Sequence, residues 1–364
     1  MQPSKRRHDS SRSPLAGCSS ILVRGTNWLG DSVMSVAALK ELRRIHPNAR
    51  LALICKESVA GLFHGQPFLD EVLTFTEDTM SMRQVVPRIR KFQAALLFQN
   101  AFRSALWAYA ARIRPRIGYA THGRSWLLTD TAVPRIRSLQ RHQVYYYLDL
   151  LYQSGISDRC YLEDASFRPD IRIAPTVEGR RNARALLQEA GVSDGSRLVL
   201  INSGATFGPA KRWFPERYAE LADTLVLSEG LQVAFIGSRS EEGLAREIAS
   251  RMRAPAAVLS GRTSIPSLIA LMSMSRLLVT NDSGPMHVGA AVGIPLVALF
   301  GSTDEVATGP FSSQADVIHK HVECSPCLLR ECPIDLRCFE RILTAEVLEI
   351  VRGRLKRTEQ AATS

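Results

Sequence analysis

Apolar and polar positions along the chain fall into two regular series. In the first, SILVR (20–24), RLALIC (50–55), EVLTF (71–75) and AALLFQ (94–99) form short apolar runs separated by stretches of helical period. The clearest helical stretch is 31–45, where Val33, Val36, Ala37 and Ile45 share a face. A second series, RLVLIN (197–202), LQVAFIG (231–237), AAVLSG (256–261), RLLVTND (276–282) and PLVALFG (295–301), alternates with helices predicted over 215–228, 241–252, 265–274 and 285–292. Pro215 and Pro266 suit first helical turns, where the missing N–H has no partner in any case. Runs without strict alternation belong to strands covered on both faces, as in a parallel sheet between helical layers. Each series therefore predicts a doubly wound α/β domain.

Residues 155–178, rich in Pro, Asp and Arg, read as a linker between the two. The predicted organisation is a flexible basic tail (1–19), a first domain (20–175), a second domain (176–345) and a C-terminal helix and tail (346–364). The tail contains LAGC (15–18), which looks like a lipoprotein cleavage site. No apolar stretch precedes it, which argues against export. No apolar run approaches the ~18 residues that span a bilayer.

Composition sharpens this picture at two points. A net charge of +11 favours an anionic partner: nucleic acid, an anionic membrane surface or a phosphorylated substrate. Seven cysteines, an odd number, argue for a reducing compartment. Four of them, Cys324, Cys327, Cys332 and Cys338, fall within fifteen residues. They could hold zinc or an iron–sulfur cluster, or be structural thiols or a labile disulfide, because the second short C-x2-C pair of the usual zinc pattern is missing.

In open parallel sheets ligands bind beyond the carboxyl ends of the strands, so the chemistry belongs to the loops there. After the first strand, RGTNWLGDSVMS (24–35) places Asp31 at a strand-to-helix turn, as a helix cap or as a base. In NSGATFGPAKRW (202–213), small residues Ser203, Gly204, Ala205 and Thr206 let backbone N–H groups approach an anion. Lys211 and the following helix N-terminus add positive potential, the alternative being an ordinary Gly-rich loop with solvated basic residues. Glu241 and Glu242 open a helix, where carboxylates complement the dipole; a ribose-binding role is the alternative. TNDSGPMH (280–287) gathers Asp282, Ser283, Gly284 and His287, either as a ligand turn or as an N-cap and a core histidine. Arginines of the first half, Arg24, Arg103, RIRPRIGY (112–119) and Arg124 among them, read as exposed loop residues, either a solvated face or a surface suited to a polyanionic acceptor.

Together, GDSVMS, GPAKRWFPE, NDSGPMH and the CSPC…RECP…C tail resemble the bacterial lipopolysaccharide heptosyltransferases of glycosyltransferase family 9, type II more than type I. The likeness extends over about residues 20–345. It implies a GT-B fold, two Rossmann-like domains facing across a cleft, the acceptor on the first and the sugar nucleotide on the second. It implies inverting, metal-free transfer of L-glycero-D-manno-heptose from ADP-heptose to the inner core on lipid A, with no cofactor required. Position by position, the resemblance makes Asp31 the base and Lys211 a contact to the donor phosphates. It gives donor contacts to Ser203 to Thr206, Glu242 (as the ribose acid), Asp282 and Gly284, with Ser283 and His287 beside them. Arg24, Arg103 and Arg124 are the acceptor-binding candidates. A cytoplasmic monomer, peripheral to the inner membrane and without nucleic acid, is expected. Rival readings are a related GT-B enzyme using UDP or GDP sugars, a basic nucleic-acid binder without stacking motifs, and a dehydrogenase lacking G-x-G-x-x-G.

Overall fold

The computed structural model describes residues 13–136, 140–192 and 195–363, with side chains to residue 360. The chain divides into two compact units, Met1–Ile171 and Arg172–Ser364.

The first unit is a six-stranded, all-parallel sheet. Its strands are β1 (Ser20–Arg24), β2 (Arg50–Lys56), β3 (Glu71–Phe75), β4 (Ala94–Leu97), β5 (Arg116–Tyr119) and β6 (Asp130–Ala132), in the order 3-2-1-4-5-6. Ile21 pairs with Leu51 on one side and Ala94 on the other. Leu22, Ile54, Ala95 and Leu97 pack with Phe75, Val85, Ile89 and Trp107 on one face, and Ile21, Val23, Leu53 and Leu96 are buried on the other. Burial of both faces is what the unalternated runs require.

The second unit repeats the plan. Its strands are β7 (Leu198–Asn202), β8 (Gln232–Phe235), β9 (Ala257–Val258), β10 (Leu277–Asn281), β11 (Leu296–Phe300) and β12 (Ala315–His319), ordered 12-11-10-7-8-9. Counted within the unit, this is again 3-2-1-4-5-6, the dinucleotide-fold order. Val199, Ile201, Phe235, Val279 and Leu299 form its core with Trp213 and Tyr218. The helix Thr344–Thr363 belongs to that core through Val347, Val351 and Leu355, spaced four apart on one face.

Several elements differ from expectation. The helix foreseen over 31–45 is two, Leu29–Met34 and Val36–Ile45, interrupted at Ser35, whose hydroxyl donates to Ser32 O. Strands β5, β6 and β12 carry too many polar residues to stand out as apolar runs. The tail expected to be loose up to residue 19 is packed from its thirteenth residue. Leu15 is fully buried, and Ser19 N–H donates to Gln93 Oε1 at 2.7 Å. The more basic stretch before it lies outside the described residues.

Candidate functional site

In sheets of this order the strand sequence reverses between the first and fourth strands, and a crevice opens at their carboxyl ends. In the second unit those strands are β7 and β10. The loop Ser203–Thr206 follows β7 directly and the turn Asp282–Gly284 follows β10, so two segments about 80 residues apart in sequence meet at one point.

Two buried asparagines, one at the end of each strand, fasten this point. Asn281 donates through Nδ2 to Ser203 O (2.8 Å), while its Oδ1 accepts from Tyr218 Oη (2.7 Å) and Trp213 N (3.3 Å). Asn202 donates to Ile236 O (3.1 Å) and accepts from Ser283 Oγ at 2.7 Å. With the oxygen and the nitrogen of both amides engaged, the loops are held rigidly. Neither asparagine was singled out from the sequence. The signal was present in INSG and TNDSG, where a strand ends on Asn in the same way twice.

Lys211 Nζ lies 2.5 Å from Asp282 Oδ2, which also accepts from Thr303 Oγ1 at 2.7 Å. The ammonium rests 4.8 Å from the centre of the Phe207 ring. Ser203, Gly204 and Ala205 are buried and Thr206 is exposed. Ser283 precedes the helix Gly284–Val292 without capping it, since its hydroxyl is committed to Asn202. The first N–H groups of that helix therefore have no side-chain cap, an arrangement suited to an anion. His287 is buried within the first turns of the same helix.

The geometry separates the two glutamates. Glu242 turns to an i,i+4 ion pair with Arg246 at 2.7 Å. Glu241 is the residue that reaches the loop. Its Oε2 accepts from Ser238 N (2.7 Å) and Ser238 Oγ (2.8 Å), and a Cβ added to Gly204 would stand 2.2 Å from its Oε1. A helical offset of one residue rotates a side chain by about 100°, which sequence resemblance does not resolve.

In the first unit the reversal lies between β1 and β4, and the 25–28 loop follows β1 and leads into the helix that carries Asp31. Asp31 is the third residue of the helix Leu29–Met34, whose N-cap is Trp28. It is half-buried and close to Tyr147, whose hydroxyl is pushed well above the usual range by burial and then by the Asp31 carboxylate. Asp31 is thus not the N-cap residue.

The expectation of exposed loop arginines is corrected at three positions. Arg24 is buried with its guanidinium 4.8 Å from the centre of the Phe75 ring and 5.6 Å from that of Trp107, donating to Asn27 Oδ1 and Gly25 O. Arg124 is fully buried and donates to Tyr119 O, Gln99 O and Asn100 Oδ1. Burial pulls both groups down to about 10. Arg116 is a buried β5 residue. These side chains shape the loops from within, because a buried guanidinium must spend its donors on protein carbonyls. Arg103 is exposed, at the start of the helix Phe102–Ala110.

Cys324, Cys327, Cys332 and Cys338 line one small void with Gly301 and Ser302, and none is disulfide-bonded. This segment braces the loops after β7 and β11: Ala210 N–H donates to Arg330 O (3.0 Å) and Leu328 N–H to Ser302 O (2.7 Å). Among the described residues, the group of three ligand-type side chains with atoms within 4.8 Å of one another is Glu305, His319 and His321, not the thiols.

The glycosyltransferase family 9 (heptosyltransferase) profile matches residues 83–337. Lipopolysaccharide heptosyltransferase 2 of Salmonella typhimurium is 31% identical over 310 residues, covering 82% of this chain and 87% of that one. Its Escherichia coli K12 counterpart is 30% identical, with 82% and 87% covered. The solved structure of E. coli ADP-heptose lipopolysaccharide heptosyltransferase II superposes with a TM-score of 0.80 at 28% identity, covering 93% of this chain and 99% of that one.

Proposed function

The chain belongs to glycosyltransferase family 9 (heptosyltransferase), and on that premise we propose that it transfers heptose from ADP-heptose to the inner core of lipopolysaccharide. The observation that carries this reading is the meeting of Ser203–Thr206, Lys211 and the uncapped Gly284–Val292 helix at the β7/β10 switch point. Backbone N–H groups, an ammonium and a helix N-terminus together suit a diphosphate.

The reaction is read as one displacement. Asp31 accepts the acceptor's hydroxyl proton as that oxygen bonds to the anomeric carbon, while the bond from that carbon to the diphosphate oxygen breaks. One displacement inverts the anomeric centre. The departing ADP gains negative charge, which Lys211 neutralises. Asp282 holds Lys211 in place until the donor arrives, and Thr303 holds Asp282. No metal ion is invoked in this step, and Glu241 is read as the donor contact in preference to Glu242, because its carboxylate stands against Gly204.

Work at the cytoplasmic face of the membrane follows from an acceptor anchored on lipid A. No helix among the described residues is long and apolar enough to cross a membrane. The first unit offers an exposed aromatic cluster instead: Phe102 and Tyr109 each stand 6.1 Å from Trp126, with Arg103, Arg112 and Arg114 exposed nearby in sequence. Aromatic rings beside arginines suit the headgroup region of an anionic leaflet.

The test is incubation with ADP-heptose and a heptosyl-Kdo-lipid A acceptor, followed by mass spectrometry. Gain of one heptose, with thermal stabilisation by ADP and not by UDP or GDP, is the expected result. Stabilisation by UDP alone would sink the reading.

A further inference from the structure

Beside the donor loops, on the outer edge of the second sheet, lies a cluster that the transfer reaction does not use. β12 ends on His319, and His321 follows two residues later. Glu305 opens the short helix Glu305–Thr308 after β11. His319 Nδ1 is 2.6 Å from Glu305 Oε2, and His321 Nε2 is 3.4 Å from Glu305 Oε1. The two imidazole rings are 4.4 Å apart, centre to centre.

The surroundings fix the His319 ring. Its Nε2 meets Ser325 Oγ at 2.8 Å and Gly301 O at 3.3 Å. A carbonyl only accepts, and the Ser325 hydroxyl spends its own proton on Gly301 O at 2.6 Å. Nε2 must therefore carry the hydrogen and donate. In the neutral ring this leaves the Nδ1 lone pair beside a carboxylate oxygen, two acceptors in contact, a repulsion that either a proton on Nδ1 or a metal ion shared by both ligands relieves. An imidazole that donates one N–H to a carbonyl or hydroxyl, leaving its other nitrogen for the ion, is the arrangement by which proteins orient a metal-binding histidine.

We infer that Glu305, His319 and His321 form a binding site for a divalent transition-metal ion of the zinc type, for which two imidazoles and a carboxylate are a sufficient protein set. The ion ties β12 to the 301–308 segment. That segment carries Thr303, the residue bonded to Asp282, so the ion braces the donor side without touching the reacting atoms. The inference is independent of which sugar the protein transfers. It also separates metal binding from the four cysteines.

The experiment is titration of the chelator-treated, reduced full-length protein with cobalt(II) and zinc(II), followed by calorimetry and absorption. Cobalt–thiolate bonds give intense near-ultraviolet bands that nitrogen and oxygen ligands lack, so the spectrum distinguishes the two clusters. About one ion per chain without a thiolate band is expected. His321 is 71% exposed, so His321→Ala leaves the fold intact and abolishes stoichiometric binding. Ser325→Ala, which frees the His319 ring, weakens affinity by roughly 10–100-fold. Absence of stoichiometric binding means that a proton alone bridges His319 and Glu305, and overturns the inference. So does a thiolate band with binding unchanged in His321→Ala.

Discussion

Asp31 occupies the third position of its helix, where a carboxylate favours the positive end of the dipole without being the capping residue. Dipole and base roles separate on substitution, because asparagine keeps size and hydrogen-bonding capacity but cannot accept the acceptor's proton. Asp31→Asn is expected to leave the unfolding temperature and ADP affinity nearly unchanged while transfer falls by roughly 10²–10⁴. Full activity in the variant would move the base elsewhere. The neighbouring glutamates make a second residue-level contrast. Glu241→Ala removes the acceptor of two Ser238 hydrogen bonds and the wall behind Gly204, so ADP affinity measured by calorimetry should weaken roughly tenfold. Glu242→Ala only breaks a surface pair and should leave affinity unchanged. Equal losses in both would return the donor contact to Glu242.

Among elements, the helix Pro215–Leu227 is anchored at both ends of the loop system. Its Tyr218 reaches Asn281, and its Asp223 holds the turn after the helix Glu242–Arg251. Burial raises the Asp223 carboxyl, but the backbone N–H groups of Ala254 and Arg253, each at 2.8 Å, and the Arg253 side chain outweigh it and hold it below the usual range. A depressed folded-state value contributes stability above the ordinary carboxylate range, and the contribution is lost as pH falls through it. Asp223→Ala, which leaves two backbone donors unpaired, is expected to cost about 1–3 kcal/mol at pH 7 in urea unfolding. The gap to the parent protein should narrow below about pH 4. A gap that widens on acidification would refute this account. The Cys-rich segment acts at the same scale: Gly208 lets the Arg330 backbone come so near that an added Cβ would stand 2.3 Å from its carbonyl oxygen. The GPAK motif is thus legible as a packing requirement only once its partner, more than a hundred residues later, is known.

For the whole molecule, the net charge of +11 and the Phe102–Tyr109–Trp126 cluster predict salt-sensitive adsorption to vesicles rich in anionic lipid. Sedimentation with such vesicles should fall as salt rises, and Trp126→Ala should reduce it severalfold, since an interfacial indole supplies area that the arginines do not. Adsorption indifferent to both would remove the proposed membrane surface. The apolar runs by themselves determined the doubly wound α/β plan, because strands buried on both faces and helices of regular period are local signals. The loops after β1, β7 and β10 were legible for the same reason, as small and charged residues placed just beyond such runs. Side-chain direction was not legible. The burial of Arg24 and Arg124, the different directions of Glu241 and Glu242, the fastening by Asn202 and Asn281, and the meeting of Glu305 with His319 and His321 depend on which segments pack together. That is decided by strand order and by the donors and acceptors each loop finds across the sheet, and only the tertiary structure supplies them.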